Sequence, residues 1–436
     1  MGGEAAKGAT ADSTPGDREP DGYAYYVLWL LFFVYVVNFI DRQIFAVVLE
    51  DIKQEYQVSD TAMGFLSGPA FALFYTFAGI PIARWADRGS RRLIIALGIA
   101  VWSAMTAASG LARSFSHLAL ARVGVGVGEA AGTPPSHSLI SDYFPPERRA
   151  TALSIYSMGV YVGVMLGYLF GGPIKEAFDW RATFLALGLP GILLAFVVRF
   201  TIREPERGRW ESAASREEQH SVREVAAFLA TRRSFVFIVL AGCLQSISAY
   251  AFLSWSFTFL LRVHEMQAIE ISLWLGLATG LGGIVGAAAG GLITDRFAAR
   301  DQRAAMFLAS TVAALGVPFA VGFALLGDRT LALLCFVPYN LLQAMYVGPM
   351  FSTVQSLVRP DMRATTSAIM LFLLNIAGAV VGPMVVGSLS DSLSASHGQE
   401  AIRYALALVG IFGGFGALFF ALATRTVREE LREAAG

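Results

Sequence analysis

Apolar residues run through this chain in twelve long stretches, each bounded by short clusters of charged or turn-forming residues. The stretches cover 23–49, 61–84, 92–111, 115–140, 149–172, 182–202, 235–261, 271–294, 304–326, 330–357, 364–390 and 402–424. About 20 apolar residues suffice for a helix to cross a bilayer, so the pattern predicts twelve membrane-spanning helices, numbered here as spans 1 to 12. A single long polar break, 203–234, falls between spans 6 and 7. The expectation is an all-α membrane protein of two six-span bundles, 23–202 and 235–424, joined by the linker 203–234, with tails at 1–22 and 425–436. The first tail has no apolar run and reads as disordered, not as a signal peptide. Within the linker, 221–230 has the pattern of a short helix lying on a membrane surface.

Composition agrees: 55% of the 436 residues are hydrophobic and 15% charged, against roughly 25% charged in a soluble domain. A water-soluble fold is excluded. Thirty-three basic and 33 acidic residues leave no net charge, which gives no polyelectrolyte basis for nucleic-acid binding. Placement is more telling than the sum, since 21 basic residues fall in loops on one side of the spans and six on the other. The positive-inside rule then places both termini and the linker in the cytoplasm. Arginine outnumbers lysine 30 to 3, the bias of a GC-rich bacterial genome, so the expected location is a bacterial inner membrane.

Few residues are arranged for catalysis, metal binding or redox chemistry. Cys243 and Cys335 lie in apolar runs and read as buried structural thiols. His117, His137, His220, His264 and His397 are scattered without ligand spacing, so no metal and no cofactor is expected. Ser136-His137-Ser138 has no nucleophile elbow around it, though His137 is a minor proton-relay candidate. The run GVGVGE at 124–129 lies inside a span with no strand before it and no Gly-Lys-Ser/Thr; its glycines predict close helix packing instead of nucleotide binding.

The two halves repeat each other. Asp87-Arg88 after span 2 recurs as Asp295-Arg296 after span 8, 208 residues on. Pro146, Arg149, Ala150 and Thr151 before span 5 recur as Pro360, Arg363, Ala364 and Thr365 before span 11. Landmarks that repeat in order at the same topological position indicate duplicated six-span bundles.

Residues 83–92 resemble the loop motif Gly-x-Leu-Ala-Asp-Arg-x-Gly-Arg-Arg of the major facilitator superfamily, with Asp87, Arg88, Arg91 and Arg92 in place. Ala83 replaces the first Gly, Ser90 the second, and Gly89 comes one place early. Arg122-Val-Gly-Val125-Gly126-Val-Gly128 is similar to the span 4 signature, with Val125 in place of Gln. Gly378-x-x-x-Gly382-Pro383 in span 11 resembles the antiporter motif, while the Gly159-x-x-x-Gly163 of span 5 is followed by Val164 where Pro is expected. Within the superfamily, NFIDRQ at 38–43, the long acidic loop after span 1 and GPAFALFYTFAGIPIARWADR resemble the spinster family. The resemblance implies a secondary transporter for lysolipids or sphingoid lipids, with the proton as coupling ion. It also implies a cytoplasmic gate of Asp87, Arg88, Arg91, Arg92, Arg149, Asp295, Arg296 and Arg363, in which Asp87 would pair with Arg149 or cap a helix of the other bundle.

Charges at membrane depth mark the candidate site. A charge at bilayer centre costs roughly 2.5–3.5 kcal/mol on insertion scales, so such a residue normally faces a cavity or a partner. Asp41, Arg42, Arg122 and Glu129 are the clearest cases and are the candidates for proton coupling and substrate binding. Helical rise puts Asp41 about 13 Å and Arg122 about 12 Å from the same side, level enough to pair across spans 1 and 4. Glu129, seven residues beyond Arg122 on the same face, is expected to be an unpaired carboxylate about 10 Å nearer the cytoplasm. A static ion pair that merely holds helices together is the competing reading.

Asn38, Tyr250, Ser254, Trp255, Tyr339, Asn340 and Gln343 are polar or aromatic at similar depth and form a possible uncharged cavity wall. The expected protein is therefore a monomeric alternating-access transporter with a cavity between spans 1, 4, 7 and 10. Its partners would be membrane lipids and a small amphipathic or anionic substrate. A proton-coupled symporter of small organic anions such as sugar acids is the rival within transport, and a channel or receptor the rival outside it.

Overall fold

The structure, a computed structural model, describes residues 22–209, 221–298, 301, 303–359 and 362–435. The tail 1–21 and the positions Arg216, His220, Arg300 and Pro360 lie outside the described residues. Among the described residues every regular element is helical. Spans 1 to 6 run Gly22–Tyr56, Asp60–Arg88, Arg91–Gly110, 115–143, Pro146–Ala177 and Trp180–Thr201. Spans 7 to 12 run Arg233–Val263, Ala268–Ala298, Ala304–Leu325, Arg329–Ser356, 363–397 and Ala401–Ala435. Half of them, spans 1, 2, 5, 8, 11 and 12, overrun their apolar stretches by a turn or more, because charged side chains continue a helix past the hydrocarbon core.

Span 4 is not the continuous helix expected. One helix ends at Glu129 and the next begins at Thr133. Pro134 and Pro135 have no N–H to give to the carbonyls four residues back, and the chain turns there, with the Gly132 amide donating to the Glu129 carbonyl at 2.9 Å. Span 10 breaks equivalently, between Met345 and Val347. Phe115 and Arg329, the starts of the two spans, are 214 residues apart, as are Gly132 and Tyr346 at the breaks. Span 2 is interrupted at Gly68, and span 11 carries a π-helical turn at Ile376–Val381.

Within the first half span 1 packs on span 5 and span 3 on span 6; in the second, span 12 packs on spans 7 and 9. Small residues permit these contacts. A Cβ on Gly163 would lie 2.6 Å from the Val36 carbonyl oxygen, and one on Gly188 would lie 2.7 Å from the Ala107 amide. The halves meet along three seams, span 2 with 11, span 5 with 8, and span 1 with 7. Gly68 approaches the Ala379 carbonyl on the first seam as Gly276 approaches the Met165 carbonyl on the second, at 2.8 and 3.2 Å from the Cβ position. Gly68 and Gly276 are 208 apart and Met165 and Ala379 are 214 apart, so the seams are two copies of one contact.

The linker helix forms at Val222–Thr231, started by a capping box of Ser221 and Glu224. Its Val225 and Leu229 are buried in the apolar cluster at the start of span 7. Cys243 and Cys335 are free, but half-buried where full burial was expected.

Candidate functional site

The four membrane-depth charges come together, in a pairing that differs from the expected one. Arg42 Nε donates to Glu129 Oε2 at 2.6 Å, so Glu129 is an ion-paired carboxylate and not an orphan. The guanidinium also stacks among Phe39, Phe71 and Tyr75, 4.7 to 4.9 Å from their ring centres. The cation thus sits among aromatic quadrupoles while its Nε–H meets the carboxylate. Asn38 is buried beside Glu129. Asp41 points the other way round span 1 and accepts from Thr106 Oγ1 of span 3 at 3.4 Å.

Arg122 is 3% exposed and stacks over Phe45 and Phe71, 4.7 and 5.2 Å from their centres. Its Nε has no hydrogen-bond partner, and among the described residues no carboxylate lies within ion-pair distance of it. Arg42 and Arg122 both line a small alcove of about 50 Å³ with Phe71, Ser254 and Ala379. Tyr250 and Leu253 border both this alcove and a chamber of about 410 Å³. The chamber is lined by spans 1, 5, 7, 8, 10 and 11 and contains no charged side chain. Tyr339, Asn340 and Gln343 are on its wall. Gln343 donates to the Tyr339 hydroxyl at 3.0 Å and Asn340 to the Phe336 carbonyl at 2.8 Å. Trp255 is not on either wall: it is fully buried, its indole N–H donating to the Pro383 carbonyl at 3.0 Å. His137 is exposed below the break in span 4, edge-on to Tyr156.

The residues expected to form a gate separate into two groups. At the basic end, which carries both helical termini, Asp87, Arg88, Asp295 and Arg296 are exposed. Arg149 donates to the Ser141 carbonyl and Arg363 to the Gln355 carbonyl, each eight residues back, which is one bond made twice by the repeat. Arg91 and Arg92 do not face the other bundle. Arg91 reaches Asp142, Ser138 and Glu204, and Arg92 reaches the Ile202 carbonyl, so Arg91 ties span 3 to the ends of spans 4 and 6 and Arg92 ties it to the end of span 6.

Burial would raise the Glu204 carboxyl, but hydrogen bonds from Arg91, the Arg92 amide and Ser90 outweigh it and hold the group below its ordinary 4.5. A lowered folded value stabilises the protein above the unfolded value and loses that effect as pH falls through the folded one. Glu204→Gln is therefore expected to lower the melting temperature at pH 7, and the gap from the unsubstituted protein should close below pH 4.5. Melting curves at pH 7 and in acid check this.

The ion pairs that cross between bundles, among the described residues, lie at the opposite end, and sequence reasoning missed them. Arg262 of span 7 holds both oxygens of Asp60 at 2.8 Å and pairs with Glu50. Lys53 is 2.7 Å from Asp60, and Ser390 of span 11 donates to it at 2.6 Å. The only available signal was that acids end span 1 and a lone arginine ends span 7. The basic end has no such tie among the described residues.

Twelve spans in two repeated bundles, with charges gathered on one side of a central chamber, define a secondary transporter of the major facilitator fold. The sequence pattern of the Major Facilitator Superfamily matches residues 31–380, and the chain belongs to that family. It is 32% identical to an MFS-type efflux pump of Mycolicibacterium smegmatis, covering 98% of this chain and 99% of that one. It is 28% identical to the sphingosine-1-phosphate transporter SPNS2 of Danio rerio, over 90% of this chain and 82% of the relative. Among solved structures it matches a bacterial homologue of the human lysosomal transporter Spinster, inward-facing and unoccupied, with TM-score 0.86 and 30% identity over 94% of this chain and 99% of that one. The protein is a multi-pass membrane transporter of spinster-like sequence, and not an enzyme.

Proposed function

We propose that this transporter moves an amphipathic, lipid-like molecule of lysolipid or sphingoid type by alternating access, driven by protons. The observation that carries the reading is the contact, across Tyr250 and Leu253, of a two-arginine alcove with an uncharged chamber. An anionic or zwitterionic head would bind Arg122 and Arg42, and the apolar part would occupy the chamber. A sugar acid would use the alcove and leave the chamber wall idle. The named substrate of the SPNS2 relative has the same amphipathic character. The basic end is taken as cytoplasmic, the location as a bacterial inner membrane and the working unit as a monomer.

Glu129 is the proposed proton site. Its carboxylate holds Arg42 at 2.6 Å; protonation removes the charge that holds it, and the guanidinium is released toward the alcove to meet the head group. Deprotonation recaptures Arg42 and expels the head. Asp41 is the second carboxyl and titrates with Glu129 as a coupled pair.

The test is reconstitution of the unsubstituted protein and Glu129→Gln in proteoliposomes with a labelled lysophospholipid or sphingoid phosphate. The unsubstituted protein should saturate, exchange at equal pH and concentrate substrate under a pH gradient. Glu129→Gln should exchange but not concentrate. Concentration by the variant as by the unsubstituted protein would move the coupling role to Asp41, and unsaturable flux would mean a channel.

A further inference from the structure

Beyond the ion pairs of Arg262, two carboxylates reach across the bundle interface to backbone amides. Asp391, at the end of span 11, accepts from the amides of Asp60 and Thr61 at 3.0 and 2.7 Å. These are the first two residues of span 2. Glu176, at the end of span 5, accepts from the amide of Ile269 at 3.0 Å, the second residue of span 8. The first amides of a helix have no partner within it and carry the positive end of its dipole. Each carboxylate therefore satisfies, in the other bundle, donors that would otherwise need water.

The two contacts fall at nearly equivalent places in the repeat, one residue out of step. Asp60 and Ala268, the starts of spans 2 and 8, are 208 apart, and Glu176 and Ser390, the neighbour of Asp391, are 214 apart. These are the offsets that relate the glycine contacts on the same two seams, with the capping carboxylate moved by one residue in the second copy. The two caps are unequal in strength. Asp391 makes two bonds, and the residue it caps, Asp60, is also held by Arg262 and Ser390. Glu176 makes one bond and is exposed.

We propose that Asp391 and Glu176 are paired latches: each caps the facing span of the other bundle and so holds this end of the transporter shut, with Asp391 the stronger. The inference rests on the alternating-access reading, under which this end must open once per cycle, and both caps must break when it does. The residues act on the closed state and touch neither the alcove nor the chamber.

The experiment measures the opening directly. Cys243 and Cys335 are replaced, and spin labels are placed at Arg113 and Gln399, both exposed and on different bundles. Distance distributions are then recorded in proteoliposomes with and without a pH gradient. Loss of a helix cap shifts an equilibrium about fivefold, so Asp391→Ala should raise the ratio of open to closed distances about fivefold. Glu176→Ala should raise it roughly twofold, and the double variant by the product. Asp391→Asn keeps one acceptor oxygen and should fall between Asp391→Ala and the unsubstituted protein; it carries the test if Asp391→Ala does not fold. An unchanged ratio in these folded variants overturns the latches. If the unsubstituted protein never shows the open distance, alternating access itself fails and the latches with it.

Discussion

Arg42→Ala is expected to cost about 3–5 kcal/mol of stability and to abolish driven transport. The expected loss is large because the arginine is held from several sides. Its Nε is 2.6 Å from a carboxylate with no exposed side-chain surface, and three aromatic rings surround it. Removing it leaves Glu129 charged and unpaired at membrane depth, where only protonation relieves it. The double variant Arg42→Ala, Glu129→Gln removes the stranded charge and should recover most of the stability but none of the driven transport. Melting curves and pH-driven uptake on the three proteins check this. An Arg42→Ala protein that melts with the unsubstituted one would show that the pair carries no weight.

Arg122→Lys is expected to lose transport almost as fully as Arg122→Ala, roughly 10- to 100-fold, the worth of a hydrogen bond to a charged group. Arg122 has no ion pair among the described residues and sits over Phe45 and Phe71, so its removal strands no partner. Folding should survive in both variants. Lysine keeps the charge but loses the planar stacking and the two-pronged donor set that an anionic head requires. The lysine variant transporting at the native rate would reduce Arg122 to a point charge.

The spans were legible because bilayer thickness imposes one length on every crossing, and the bundles because Asp87-Arg88 and Pro146…Arg149 repeat. Depth counting brought Asp41, Arg42, Arg122 and Glu129 to one region yet left Glu129 without a partner, where the structure pairs it with Arg42. Rise per residue locates Cα atoms, whereas a guanidinium extends several ångströms from its own, and the break after Glu129 bends span 4 in a way no uniform helix would. Trp255 was misplaced for a related reason, since a polar aromatic at membrane depth satisfies its N–H equally well on a neighbouring carbonyl as in a cavity. The cluster on Arg262 and the caps of Asp391 and Glu176 left almost no trace. They join residues some 90 to 330 positions apart, and nothing in a single sequence says which loops meet.

The paired offsets have a consequence for how such a chain changes over time. Between spans 2 and 8 the offset is 208, and from span 4 onward through the start of span 11 it is 214. Most of the difference enters where Arg88 is followed by span 3 at Arg91, while its counterpart Arg296 is followed by span 9 only at Ala304. Each residue added within a helix turns everything beyond it by about 100° and moves it 1.5 Å along the axis. A single insertion inside span 4 or span 10 would rotate one set of faces against the other. The ancestral halves have therefore been free to trade side chains, even to charge one cavity wall and discharge the other, while remaining phase-locked, with length drifting only where the chain leaves the bilayer.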